Sequence, residues 1–98
     1  MALLYEDITE KILKGYYEVY NTLGYGFLEK VYENSLVVEF RSLGLKCEQQ
    51  KPIDVYYKGV LVGEYFADIV VNDCVIVELK ASKLLAEEHE LQLINYLK

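Results

Sequence analysis

The spacing of apolar residues divides the chain into helical segments and a β-rich middle. Apolar positions recur at helical intervals through residues 8–23 and again through residues 27–43. Asp7 is a suitable N-cap for the first segment, and Gly44 follows the second, where a left-handed residue commonly ends a helix. The pattern therefore predicts two consecutive α-helices at the start of the chain.

Arms rich in valine and tyrosine, separated by turn residues, predict strands in the middle of the chain. Lys58-Gly59 is typical of a β-hairpin turn, and Asn72-Asp73 turns the chain again. Pro52 should limit any ladder that crosses it, because proline has no N–H to donate. The predicted arms are residues 45–49, 53–57, 60–71 and 74–80.

The last segment, residues 84–98, is predicted to be a third helix. Leu84, Leu91, Ile94 and Leu97 follow a helical spacing, and acidic residues near its start suit the positive end of the helix dipole. The order helix, helix, β-meander, helix indicates an α+β fold in which helices pack on a mainly antiparallel sheet. We expect residues 1–98 to form one domain, because this length supports a single core.

Composition and charge narrow the class of protein. The chain is 53% hydrophobic and 27% charged, as in globular domains, and no apolar run reaches the roughly 20 residues that cross a bilayer. The net charge of −6 offers phosphates no basic footprint, so a nucleic-acid enzyme of this sequence must rely on bound metal, a local patch or another subunit. Cys47 and Cys74 are interpreted as reduced thiols and the start lacks a signal peptide, so we expect a cytoplasmic protein.

Three ionisable residues interrupt two strongly apolar arms. Asp68 lies in Tyr-Phe-Ala-Asp-Ile-Val-Val, and Glu78 and Lys80 lie in Val-Ile-Val-Glu-Leu-Lys-Ala. Charges in such places are costly unless they are paired or bound to a metal. For either arm taken alone, the simpler interpretation is a side chain that points outward from a half-exposed strand.

The turn between the two arms decides whether these side chains meet. A two-residue loop would pair Asp68 with Val77 and leave Glu78 on the other face of the sheet. An odd loop, closed by a bulge, would instead set Asp68 opposite Glu78. We predict the odd loop, Asn72-Asp73-Cys74.

Convergence of Asp68 and Glu78 would suit a magnesium ion. Mg²⁺ prefers hard oxygen atoms and few protein ligands, so two carboxylates and the main-chain carbonyl of Leu79 form an adequate set. A bound ion lowers the pKa of water and stabilises charge on a phosphodiester. Lys80, which shares a strand face with Glu78, can hold that water as hydroxide and neutralise the transition state.

The run Gly26-Phe-Leu-Glu29-Lys-Val-Tyr32 resembles the signature of the GxxExxY proteins, a family within the PD-(D/E)XK nuclease-like superfamily. The resemblance covers nearly the whole chain. It implies a restriction-endonuclease-like core in which helices pack on the sheet. The further matching runs are Glu-Asn-Ser-Leu at 33–36, Gln-Gln-Lys-Pro-Ile at 49–53, Tyr-Tyr-Lys-Gly at 56–59, Gly-Glu-Tyr-Phe-Ala-Asp at 63–68, Val-Glu-Leu-Lys-Ala at 77–81 and Gln-Leu-Ile-Asn-Tyr-Leu at 92–97.

The resemblance implies a role for each matching residue. Asp68 corresponds to the strand aspartate of the superfamily, and Glu78 and Lys80 correspond to its Glu-x-Lys pair. Glu29 matches the additional acidic residue that many members supply to the metal site.

Two residues near the end of the chain resemble a further superfamily element. Gln92 and Tyr96 match the Gln-x-x-x-Tyr sequence of related exonucleases, and four-residue spacing would place both on one helix face. Simpler interpretations stay open, in which Glu29 is a first-turn helix acid and Gln92 a surface amide. Tyr32 is expected to be a core aromatic, and His89 a surface or packing residue.

The function that the resemblance implies is that of a Mg²⁺- or Mn²⁺-dependent nuclease acting on DNA. The relatives continue with further strand-forming sequence, so we expect this chain to be truncated at its C-terminus and its sheet to lack C-terminal strands. An open edge would permit a homodimer. The alternative is a non-catalytic interaction module of the same fold, which the acidic balance favours and the intact motif residues oppose.

Overall fold

Two helices and a four-stranded antiparallel sheet make up the part of the chain that the computed structural model describes, residues 6–81 and 89–95. The strands pair in chain order, each with the next, which confirms the α+β fold and the meander. The elements are α1 (Glu6–Leu23), α2 (Glu29–Ser42), β1 (Cys47–Tyr57), β2 (Val60–Val71), β3 (Val75–Ala81) and β4 (His89–Asn95).

The helix ends differ in detail from the predicted ones. Because α1 already includes Glu6, Asp7 lies in its first turn and is not the N-cap. The predicted end of α2 is confirmed, since Gly44 has a φ of 83° and its N–H donates to the Arg41 carbonyl at 3.0 Å. This left-handed residue turns the chain from α2 towards β1.

Both helices pack on the centre of the sheet and share one main core with it. Alternation places the odd-numbered residues 69 and 71 of β2 and 75, 77 and 79 of β3 in the core that the helices cover. The largest fully buried side chains are Tyr32, Phe40, Ile12, Leu36, Ile69, Val70, Val71, Val75 and Val77. The centre of the sheet is therefore rigid where β2 meets β3.

Strand β1 is longer than predicted and runs through Pro52 without a break. The two short arms expected on either side of the proline are one strand, in which Pro52 pairs with Phe66. The prediction that Pro52 limits the ladder was wrong because β1 lies at an edge of the sheet, where a missing N–H can face away from the neighbouring strand.

The predicted third helix was wrong for the residues that the structure describes there. Residues 89–95 form β4, which pairs antiparallel with β3, whereas residues 82–88 and 96–98 lie outside the described part. Leu91 and Leu93 also fit the two-residue period of a strand, so the apolar pattern was ambiguous. The residues pair as a strand because β3 would otherwise present an open, apolar edge.

The far end of the β1–β2 hairpin is exposed and apolar. Lys58-Gly59 forms the predicted two-residue turn, with positive φ at both residues. Between Val60 and Asp68, the half of β2 nearer this turn, the described residues form no ladder with β3. We call residues 55–62 the hairpin tip; its exposed apolar side chains are Val55, Tyr56, Tyr57, Val60, Leu61 and Val62.

The two cysteines lie in or next to the main core. Cys47 is buried, Cys74 is partly buried, and both are free thiols. Burial raises the pKa of the Cys47 thiol, and nearby Arg41 offsets part of that shift. No helix among residues 6–81 and 89–95 is long and apolar enough to span a membrane.

A substitution at the α1–α2 contact tests this packing. A Cβ at Gly15 would lie 2.8 Å from two ring atoms of Phe40. We expect Gly15→Ala to lower the free energy of unfolding by up to about 2 kcal/mol in urea titration, because overpacking costs about 1–3 kcal/mol and the higher helix propensity of alanine offsets about 1 kcal/mol. Exposed Lys14→Ala is the control, and a stabilised Gly15 variant would contradict the packing.

Candidate metal site

The loop between β2 and β3 has the odd length that the sequence analysis predicted. Val71 pairs with Val75, so three residues, Asn72-Asp73-Cys74, connect the strands. Asn72 and Asp73 have φ values of 50° and 55°, which these residue types tolerate better than most. The ladder ends at the pair Ile69–Val77, and one step beyond it Asp68 is in contact with Glu78 and Leu79, as the odd loop predicts.

The loop is fixed by contacts with Lys46, which lies just before β1. The Asn72 N–H donates to the Lys46 carbonyl at 2.8 Å, and the Lys46 N–H donates to Asn72 Oδ1 at 2.7 Å. Asp73 forms ion pairs with Lys46 and Lys51 at 3.4 and 3.2 Å. The hydrogen bond to Asp73 also raises the pKa of Lys51. These contacts hold the register that brings Asp68 to Glu78.

Side chains replace the backbone ladder at the level of Asp68 and Glu78. The Leu79 N–H donates to Asp68 Oδ2 at 2.8 Å. In the opposite direction, the Asp68 N–H makes a long contact of 3.5 Å with Glu78 Oε2. Both carboxylates are half-buried, and each lies against the backbone of the other strand. The two strands thus present a pair of adjacent carboxylates.

A buried glutamate on α2 belongs to the same hydrogen-bonded network. Glu33 is 3% exposed and accepts hydrogen bonds from Gln49 Nε2 at 2.8 Å and Gln50 Nε2 at 3.0 Å. Lys30 forms an ion pair with Glu33 at 2.8 Å. Gln50 Nε2 also lies 3.4 Å from Asp68 Oδ1, which connects α2 to the carboxylate pair.

Glu33 was missed in the sequence analysis, which gave the helix acid as Glu29. Glu29 is exposed in the first turn of α2, whereas Glu33 lies one turn later on the same helix face. A buried carboxylate needs several donors. The consecutive amides of Gln49 and Gln50 were the signal that one existed.

The GxxExxY run has a structural role that the contacts make visible. Tyr32 is fully buried, as predicted, and its hydroxyl donates to the Gly24 carbonyl at 2.7 Å and accepts from the Phe27 N–H at 3.2 Å. Its ring stacks on Tyr20 at 4.5 Å between centroids. Burial first, and then charges including that of Glu29, raise the pKa of Tyr20. Tyr32 therefore fixes the loop that leads into α2.

The remaining predicted site residues lie on β3 and β4 or outside the described part. Lys80 lies on β3, two residues after Glu78, and its backbone lies opposite that of Glu90 in the ladder with β4. The backbone of Gln92 lies on β4 opposite that of Glu78, so its predicted place on a helix was wrong. Tyr96 lies outside the described residues.

The donor set is small and consists of hard oxygens. Across the described side chains, no group of three or more His, Cys, Asp or Glu converges to hold a metal. Two carboxylates, Asp68 and Glu78, do converge, and Mg²⁺ commonly binds through one or two carboxylates while keeping several waters. The arrangement therefore suits a divalent ion that keeps several water ligands, rather than an ion that is coordinated by protein atoms alone.

Comparison with known proteins yields one match. The model of the PD-(D/E)XK nuclease superfamily matches residues 6–98. No curated protein and no solved structure matches the chain significantly. The GxxExxY family within that superfamily stays a prediction.

The role of Tyr32 can be measured with a substitution that keeps the ring. We expect Tyr32→Phe to lower the free energy of unfolding by about 1–3 kcal/mol, because a buried N–H loses its acceptor and a carbonyl its donor. Urea titration of both proteins gives the difference. Tyr17→Phe, at a tyrosine 60% exposed on α1, is the control. Equal stability of the Tyr32 variant and the wild type would rule out the proposed fixing of the loop.

Proposed function

This chain belongs to the PD-(D/E)XK nuclease superfamily, and on that basis we propose that it is a metal-dependent nuclease that hydrolyses phosphodiester bonds in DNA. The observation that carries the proposal is the position of Asp68 opposite Glu78 at the end of the β2–β3 ladder. Each oxygen of the Asp68 carboxylate accepts one of the contacts described above and has a second lone pair that could face a cation. Superfamily membership supports the reaction class, and Asp68 and Glu78 supply carboxylate oxygens that could bind the metal.

The proposed metal ligands are Asp68, Glu78 and the main-chain carbonyl of Leu79. The N–H and C=O of one residue in an extended strand project to the same edge. Because the Leu79 N–H points to Asp68, its carbonyl also faces β2. Mg²⁺ or Mn²⁺ bound there would supply a water of lowered pKa and stabilise charge on the phosphodiester.

Lys80 is the proposed partner of the attacking water. Strand alternation assigns Lys80 and Glu78 to one face of β3, with one residue between them. An ammonium group at that position would orient the water and neutralise charge that develops on the phosphate. Metal binding by Glu29 and catalytic roles of Gln92 and Tyr96 stay predictions.

The charge of the chain affects how DNA would bind. The net charge is −6, and Lys30, Lys46 and Lys51 are each paired with a carboxylate. Affinity for phosphates usually comes from basic side chains, so we propose that the bound cation supplies much of the local attraction here. We also propose DNA as the substrate and the cytoplasm as the location. The net charge does not distinguish them from other substrates or locations.

Isosteric substitutions of the two carboxylates test the proposed metal site. We expect Glu78→Gln and Asp68→Asn to lower Mn²⁺-dependent cleavage of single- and double-stranded DNA by about 100-fold or more, since even outer partners of metal ligands cost about 10- to 100-fold. The rise in melting temperature on adding Mn²⁺ should disappear as well. Asp54→Asn removes the same charge on exposed β1 and serves as the control.

A Lys80 variant separates catalysis from metal binding. Lys80→Met should abolish cleavage while the melting temperature still rises with Mn²⁺, because the proposed ligands remain in place. Full cleavage by the Glu78→Gln protein would refute the assignment of that carboxylate. Cleavage of RNA and not DNA would retain the mechanism but correct the substrate.

A second candidate function is a non-catalytic interaction module that forms a homodimer. The hairpin tip favours it, because six apolar side chains are exposed there on a ribbon that extends past the ladder with β3. Exposed apolar groups along open strand edges are suited to pairing with a second copy of the chain. A module of this kind would show no Mn²⁺-linked rise in melting temperature, whereas a nuclease can also be dimeric.

The oligomeric state tests the homodimer separately from the nuclease. We expect light scattering after size exclusion to show a dimer that Val62→Lys converts to a monomer, because the lysine would place a charge in the apolar contact. Val38→Lys changes an equally exposed valine on α2 and should leave the dimer intact. A wild-type chain that is monomeric at every concentration would exclude this assembly.

A further inference from the structure

The amide of Gln50 lies between two carboxylates that belong to different elements. Its Nε2 is 3.0 Å from Glu33 Oε1 on α2 and 3.4 Å from Asp68 Oδ1 on β2. An amide nitrogen has two hydrogens, so it can donate to both oxygens at once. Gln50 is thus the direct connection between the buried Glu33 and the Asp68–Glu78 pair.

The backbone at Gln50 departs from a regular strand to make this connection. Gln50 has a φ of 50°, an uncommon conformation for a residue with a side chain. It lies between the pairs Gln49–Ile69 and Lys51–Ala67, opposite Asp68. Neighbouring side chains of a regular strand point to opposite faces, yet Gln49 and Gln50 both reach Glu33. Strained backbone that is held by its surroundings is common at functional sites.

We propose that Gln50 is a positioning residue, which holds the Asp68 carboxylate in the orientation that binds the metal. The proposal rests on the metal site proposed above. Gln50 contacts Oδ1 and the Leu79 N–H contacts Oδ2, so the Asp68 carboxylate is held from both sides. Rotation of the carboxylate about its Cβ–Cγ bond would break both contacts.

Glu33 supports this arrangement by fixing the amide of Gln50. Oε2 of Glu33 accepts from Lys30 and Gln49, which leaves Oε1 to orient Gln50. The glutamate is buried and well supplied with donors, so it is a firm anchor. Partners that orient a metal-binding carboxylate commonly change metal affinity by about 10- to 100-fold when they are removed.

The test compares the two neighbouring glutamines in the full chain. Gln50→Gly removes the amide and adopts a positive φ without strain, and Gln50→Asn tolerates the same backbone with an amide that is too short to bridge. Gln49→Ala is the comparison, because it removes one donor to Glu33 and leaves both contacts of the Gln50 amide in place. We expect both Gln50 variants to bind Mn²⁺ about 10-fold more weakly by calorimetric titration, and Gln49→Ala to lose less affinity than either.

A second measurement needs no metal. The Leu79 amide should lose hydrogen-exchange protection in the Gln50 variants, relative to the other amides of β3, because its acceptor on Asp68 is no longer held. A merely structural role of Gln50 would change all these amides together. Unchanged Leu79 protection, or an equal loss of Mn²⁺ affinity in Gln49→Ala, would overturn the proposal.

The two measurements distinguish the two ways in which the inference can fail. A wild-type chain that binds no Mn²⁺ would refute the proposed nuclease, while the Leu79 amide would still report whether Gln50 positions Asp68. Strong Mn²⁺ binding that both Gln50 variants retain would leave the nuclease intact and refute the role of Gln50.

Discussion

The register of β2 against β3 is the constraint on which the candidate site depends. The three-residue loop sets it, and side chains alternate, so the loop length alone decides whether Asp68 and Glu78 meet. Asn72 and Asp73 accept the left-handed backbone that this length requires, and their bonds to Lys46 fasten the loop to the start of β1. Loop chemistry far from the carboxylates therefore determines their position.

The donors around the carboxylates divide into charged and neutral groups. Glu33 has a cationic partner, Lys30, which offsets the cost of burying it. The donors identified at Asp68 are a backbone N–H and the amide of Gln50, which orient the carboxylate without cancelling its charge. Such an environment keeps negative charge available for a cation. The network thus joins a carboxylate with a cationic partner, Glu33, to a carboxylate that neutral donors orient, Asp68.

The sequence was sufficient for features that depend on local chemistry and insufficient for those that depend on tertiary pairing. Turn residues predicted the Lys58-Gly59 hairpin, and the odd loop was predicted because only that length brings Asp68 opposite Glu78. Residues 89–95 fit both a helical and an alternating pattern, and only the open edge of β3 decided between them. Glu33 was not identified for a related reason, since the two glutamines that donate to it lie on β1, sixteen or more residues away.

Pro52 has a consequence for how large an assembly of these chains can become. It lies within the edge strand β1, where proline is tolerated with its nitrogen facing away from the sheet. That outer edge therefore lacks one donor near its middle, and a strand added along it could not form a continuous ladder. Fibril growth requires such uninterrupted ladders, repeated from chain to chain. One imino acid thus interrupts the ladder that the edge of β1 could offer to a further strand.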